Sequence, residues 1–162
     1  MSKPEDSSRH MLRHAVATLA YRGGKALRGA PEAFATFQAS ATTRTPLAIL
    51  GHLGDLLEWA VSQAQGAEQW RPVAPAGWEA GVDRFFRGIE AFDAHLASSE
   101  PLRTSAEKLF QGPVADALTH VGQLSLLRRL AGAPVRGENY AVADIAVGRV
   151  GPEQADPRRE FD

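Results

Sequence analysis

Residues 113–135 read PVADALTHVGQLSLLRRLAGAPV. Val114, Ala117, Leu118, Val121, Leu124, Leu127 and Leu130 recur three and four apart, the period of a helix with one apolar face. Gly112-Pro113 reads as its start and Gly132-Ala133-Pro134 as its stop, so the helix is expected over Pro113 to Ala131. A second stripe on the same helix is polar. Asp116, His120 and Gln123 are spaced by four and three and align with Leu127. The closing Arg128-Arg129 pair suits the negative end of a helix dipole.

Working outward, TPLAILGHLGDLLEWA (Thr45 to Ala60) has the same character. Thr45 is an N-cap followed by proline at the first helical position. Leu47, Ile49, Leu50, Leu53, Leu56, Leu57 and Ala60 form the apolar face, and Gly66 ends the helix. A first helix is expected from about Ser8 to Gly29, with Ser7 or Ser8 as cap and Leu12, Val16, Leu19, Gly23 and Ala26 on one side. A third covers about Gly77 to Ser98, with Val82, Phe85, Phe86, Ile89, Phe92 and Leu96 as an aromatic-rich stripe. Ser105 to Phe110 reads as a short helical turn, and Pro31 to Arg44 as a polar connection carrying Phe34 and Phe37. The loop with Trp70, Pro72, Pro75 and Gly77 is too proline-rich for a regular element. In the irregular tail, Val135 to Asp162, a short strand or turn is expected around Val142, Ile145 and Val147.

These patterns give an all-α single domain over residues 1–162, most simply a four-helix bundle. Period alone leaves the order of the helices open. The composition agrees: 162 residues with 44% hydrophobic and 23% charged content describe one globular domain. Eighteen lysines and arginines against 19 aspartates and glutamates leave a net charge of -1, which argues against nucleic acid as a partner. No apolar run reaches the roughly 18 residues of a membrane span. Met1 to Arg9 is polar, without the apolar core of a signal peptide, so a cytoplasmic location is expected. The absence of cysteine removes disulfides, zinc-thiolate sites, iron–sulfur clusters and a cysteine nucleophile. No Ser-His-Asp spacing and no phosphate-binding glycine loop is present; Arg22-Gly23-Gly24-Lys25 lies inside a helical pattern.

The polar residues on apolar faces carry the functional information. His52 borders the stripe of the second helix, with Asp55 at i+3. On the last helix Asp116 and His120 emerge one turn apart on one face, as two ligands of one ion do. Two imidazoles and a carboxylate would leave coordination positions for water or substrate and suit zinc, nickel, iron or manganese. The competing reading is structural: a histidine at a helix boundary is more often a satisfied core group, and the Asp-x-x-x-His spacing is common. His10 and His14 form a second i, i+4 pair, read as solvated, and His95 reads as surface. Trp59, Trp70 and Trp78 are expected to cap the core, with Trp70 and Trp78 flanking a loop that covers a pocket. Arg22 and Asn139-Tyr140 are candidates for a polar pocket rim.

The stretch Pro113 to Val135 resembles the last helix of the DinB-like (DinB/YfiT) superfamily, and Thr45 to Ala60 resembles its histidine-bearing second helix. The word from His120 to Gln123 is the most specific part. The resemblance covers most of the chain except the tail. It implies a bundle in down-up-up-down order with a long link between helices two and three. It also implies a divalent metal site, usually of three histidines. His52 matches the first of these and His120 the third; Asp116 stands where the second would be. A carboxylate there favours harder ions.

Members of the superfamily include transferases of low-molecular-weight thiols, in which the metal binds a cosubstrate thiol as thiolate. The resemblance therefore implies a metal-dependent enzyme of the thiol-transferase or hydrolase kind. His52, Asp116 and His120 would hold the ion, and Asp55 or Gln123 would orient a ligand by hydrogen bond. The alternative is a non-enzymatic small-ligand-binding or stress-response bundle with a degenerate site. A small molecule is the expected partner in either case, and a homodimer is left open.

Overall fold

The computed structural model describes residues 7–162. Residues 1–6 of the polar N-terminal stretch, Met1 to Arg9, lie outside them. Thr45 caps the second helix as its sequence indicates, its hydroxyl accepting the Ala48 N–H at 3.2 Å with Pro46 in the first position. The helices are α1 (Ser7–Leu27), α2 (Pro46–Ala64) and α3 (Trp78–Ala97). A fourth rod is composite. The short α4 (Ala106–Leu109), capped by Ser105, passes through a π-helical turn (Phe110–Val114) into α5 (Ala115–Leu130). A 3-10 turn, Glu32–Thr36, fills the first connection and buries Phe34.

The expected helix start at Gly112-Pro113 is therefore corrected. Pro113 sits buried inside the rod. A proline in a regular helix lacks a donor and its ring meets the carbonyl one turn back. The wider π turn accommodates both and inserts one residue into the register. The strand expected around Val142, Ile145 and Val147 is also corrected. Tyr140–Val142 is a 3-10 turn, and the two strands are β1 (Gly137–Glu138) and β2 (Glu160–Phe161). They pair antiparallel, Gly137 opposite Phe161. Two residues are too few to show a strand period.

Side-chain neighbours fix the helix directions. Gly81 of α3 lies against Leu50 and Gly88 against Leu57, so α2 and α3 run parallel. Gly23 meets Phe85 while Arg13 pairs with Asp93, so α1 opposes α3. His52 faces Asp116 while Trp59 faces Gly112, so α2 opposes α5. This is the down-up-up-down bundle, with the long link of residues 65–77 joining the two parallel helices. Gly23 permits the tightest crossing: a Cβ there would stand 2.5 Å from Phe85 Cζ, so α1 can approach the ring only without one. Val16, Leu19, Leu50, Leu53, Phe85, Ile89, Phe92 and Leu124 are fully buried between the four rods. No helix among the described residues is long and apolar enough to cross a membrane.

A second polar group holds the tail to the bundle. The buried Glu138 accepts the Tyr21 hydroxyl at 2.5 Å and the Lys25 ammonium at 2.8 Å. Lys25 also reaches Glu160 at 2.8 Å. Burial, the Glu138 hydrogen bond and the neighbouring carboxylate raise the Tyr21 phenol above its ordinary range. Burial disfavours the charged Lys25, but its hydrogen bonds to Glu138 and Glu160 outweigh that and raise it. Arg128, expected only to complement the α5 dipole, is instead buried. It donates to the carbonyls of Ala133, Ala26 and Arg28 at 2.7, 3.1 and 3.0 Å, satisfying the ends of α1 and α5 together. Burial lowers its pKa, though a guanidinium stays charged.

Candidate metal centre

The side chains of His52, Asp116 and His120 converge between α2 and α5. Asp116 spans the two rings. One carboxylate oxygen lies 3.3 Å from His52 Nε2 and the other 3.2 Å from His120 Nδ1. The two imidazole centroids are 4.7 Å apart. One ligand atom from each residue can be chosen so that all lie within 4.8 Å of one another, the one such group of three among the described residues. Ligands about 2.0–2.1 Å from a tetrahedral ion stand about 3.3 Å apart, the separation of His52 Nε2 from the Asp116 carboxylate.

The tautomer of His120 follows from its strongest contact. Nδ1 lies 2.8 Å from the backbone carbonyl of Asp116, one turn back on α5. A carbonyl only accepts, so Nδ1 carries the proton and donates it. In the neutral ring Nε2 is then the nitrogen that keeps a lone pair for a ligand. Metal-binding histidines are commonly oriented this way, by a hydrogen bond from the other ring nitrogen. The Asp116 side chain is 44% exposed, so its remaining lone pairs are open to solvent or to an ion.

The loop after α2 packs over the His52 side of this site. Trp70 meets His52 edge-on at 5.7 Å and packs at the same distance on Trp59. Asp55 accepts the Val73 N–H at 2.9 Å and pairs with Arg84 at 2.8 Å, and Arg84 also donates to Val73 O. At Gly51, beside His52, a Cβ would stand 2.7 Å from Pro75, so the loop rests directly on the α2 backbone.

Asp55, expected to orient a ligand, thus anchors the loop above His52 instead. Its place at i+3 from His52 is right, but both its bonds point to the loop and to α3. Gln123 makes no hydrogen bond to either histidine; its amide lies on the wall of the adjoining cavity.

That cavity measures about 510 Å³ and is lined by His52, His120 and Gln123, by Arg44, and by Ile49, Leu126, Leu127 and Leu130. A second cavity of about 390 Å³ lies on the other flank of His52, under Trp70, with Asp55 and Arg44 in its wall. Leu130, expected in the core, is exposed like Leu126 and faces the first cavity. The sequence offered no sign of Arg44, which sits in a polar connection. The Leu126-Leu130 pair had one: both are apolar one turn apart, on a helix whose core face is already full.

Other candidates fall elsewhere. Arg22 stacks over Tyr140 at 4.0 Å, and neither lines the cavities beside His52. Trp78 packs against Phe34 at 5.5 Å instead of covering the site. His10 and His14 gain no third ligand among the described residues. His95 is half-buried, with Nε2 shielded and unpartnered, contrary to the surface reading.

No family model, curated protein or solved structure matches the chain.

Proposed function

We propose that this chain is a divalent-metal-dependent enzyme of the DinB-like kind, with His52, Asp116 and His120 as the metal ligands. The observation that carries the reading is the convergence of His52, Asp116 and His120, one ligand atom from each lying within 4.8 Å of the others, while the Nδ1 bond of His120 to the Asp116 carbonyl leaves Nε2 as its ligand atom. Two neutral imidazoles and one carboxylate suit zinc, nickel, manganese or iron(II). An ion held there supplies Lewis acidity, which favours the thiolate form of an incoming thiol or the ionisation of a water. Because the chain has no cysteine, any thiol must arrive as a low-molecular-weight cosubstrate.

The remaining roles belong to the chain's own groups. Asp116 offsets part of the added positive charge and fixes both rings. Trp70 and the loop held by Asp55 and Arg84 shield His52 from bulk water, which strengthens charge interactions at the site. The reaction class is thiol transfer or hydrolysis on a small molecule. A cytoplasmic location belongs to the same reading, since the cytosol keeps such thiols reduced.

Purified protein should carry, or take up from added zinc, nickel or manganese, one ion per chain by elemental analysis. No metal before or after such loading would sink the proposal. The second reading is a non-enzymatic small-ligand binder, favoured by the way Asp116 already contacts both imidazoles without an ion. Thermal stabilisation by organic ligands and by no metal would select it.

A further inference from the structure

The cavity beside the three ligands is asymmetric in a way the metal reading does not use. His52, His120 and Gln123 form one part of its wall, and Leu126 and Leu130 on successive turns of α5 form another. Arg44 is the one formally charged side chain among its lining residues, and no carboxylate faces it. Arg44 makes no ion pair or hydrogen bond within the described residues, unlike Arg84 and Arg128, whose donors are engaged on carboxylates and carbonyls. It also borders the second cavity, so it stands beside His52 on both flanks.

We infer that Arg44 is the anion-recognition residue of this pocket, and that the substrate class is a small carboxylate with an apolar body. The inference rests on the site being the reaction centre proposed above. A guanidinium presents two parallel N–H donors that match the two oxygens of a carboxylate. The exposed Leu126 and Leu130 give the apolar body a surface to cover, and about 510 Å³ lies within the range of small-molecule sites. Among the lining side chains a single guanidinium with leucines beside it balances one negative charge; away from the metal ligands a phosphate dianion would need a second basic side chain, and the wall has none. A carboxylate on Arg44 with its chain along Leu126 and Leu130 leaves the other end free to reach His52 and His120. Arg44 is therefore a binding and positioning residue, not a metal ligand.

The test uses the full chain in zinc-loaded and chelator-treated forms, titrated calorimetrically with octanoate, octanol, octylamine and octyl phosphate, together with Arg44→Gln and Leu130→Ser. The expected result is octanoate binding about tenfold more tightly than octanol in both forms of the protein, the effect of one charge-assisted pair at a partly solvated site. Octylamine should bind more weakly than octanol. Arg44→Gln should remove the octanoate preference while leaving zinc content unchanged, and Leu130→Ser should weaken octanoate and octanol alike. Octanoate binding no tighter than octanol, a preference that survives Arg44→Gln, or octyl phosphate binding more tightly than octanoate would each overturn the inference. The two claims fail separately. A preference that persists in protein that takes up no zinc keeps the carboxylate subsite and removes the metal reading. Zinc uptake without the preference does the reverse.

Discussion

The bundle carries two polar clusters, each centred on a carboxylate, and they differ in what remains unsatisfied. Around Glu138, the partners close on one another: Tyr21 and Lys25 donate, Glu138 accepts both, and the Glu138 side chain is fully buried. Around Asp116, the partners stay open. Its side chain is 44% exposed, the His120 Nε2 lone pair is uncommitted, and cavities lie on both flanks of His52. A closed network in a low-dielectric setting serves the fold, because each lost partner leaves a buried polar group stranded. An open set of donors beside a cavity has capacity left for a ligand. A central carboxylate is common to both; exposure and spare lone pairs separate them.

The contrast is most easily broken at the closed cluster. Glu138→Ala strands the buried Tyr21 hydroxyl and leaves Lys25 with Glu160 alone, and is expected to lower the unfolding free energy in urea by about 3 kcal/mol. A loss under about 1 kcal/mol would mean that the tail contributes little to holding the bundle.

Asp116→Ala is the matching change at the open cluster. It is expected to leave stability within about 1 kcal/mol, as for other exposed ion pairs. Zinc affinity, read by competition with a chelating dye, should fall at least about 100-fold, since orienting partners alone are worth 10–100-fold. Stability loss without loss of zinc binding would move Asp116 into the structural class.

Asp55 lies between the two in character. It is buried and paired with Arg84, yet it serves the loop over His52. Asp55→Ala is expected to cost about 2 kcal/mol, because Arg84 retains Glu58 as partner. It should also release Trp70, seen as a red shift in tryptophan emission.

The smallest expected effect is a pH dependence at the rim of the closed cluster. The Lys25 hydrogen bond holds the Glu160 carboxyl below its ordinary range. A carboxyl lowered in the folded state contributes stability above its unfolded value of about 4.3, and that contribution is lost as pH falls through the lower folded value. The difference in thermal midpoint between the protein and Glu160→Gln should therefore be present at pH 6 and shrink toward pH 3. Lys25 and Tyr21 are shifted upward, so their contributions are complete below the unfolded tyrosine value of about 10 and fade only above it.

Much of this architecture was legible in the sequence, for a physical reason. A helix writes its period and its caps locally, so Thr45-Pro46 and Ser105 marked their helix starts correctly. Gly112-Pro113 misled because the same dipeptide that opens a helix also fits a π turn inside one. Asp116 and His120 were visible as a pair because their spacing is local. His52 was visible only as a polar residue bordering its own apolar stripe; joining it to the pair was a supposition that the resemblance reinforced, since contact between two helices leaves no periodic trace. The tail clasp left none either: β1 and β2 are two residues each and far apart in the chain. The buried state of Arg128 depends on the end of α1 arriving beside it, which no reading of α5 alone contains.

The most direct test of the metal centre is nitrogen-15 NMR of the histidine rings during a zinc titration. One equivalent of zinc should shift the Nε2 resonances of His52 and His120 together, with the His120 Nδ1 proton retained and the signals of His10, His14 and His95 unmoved. Zinc that leaves both His52 and His120 unchanged, or that shifts His10 and His14 instead, would contradict the assignment.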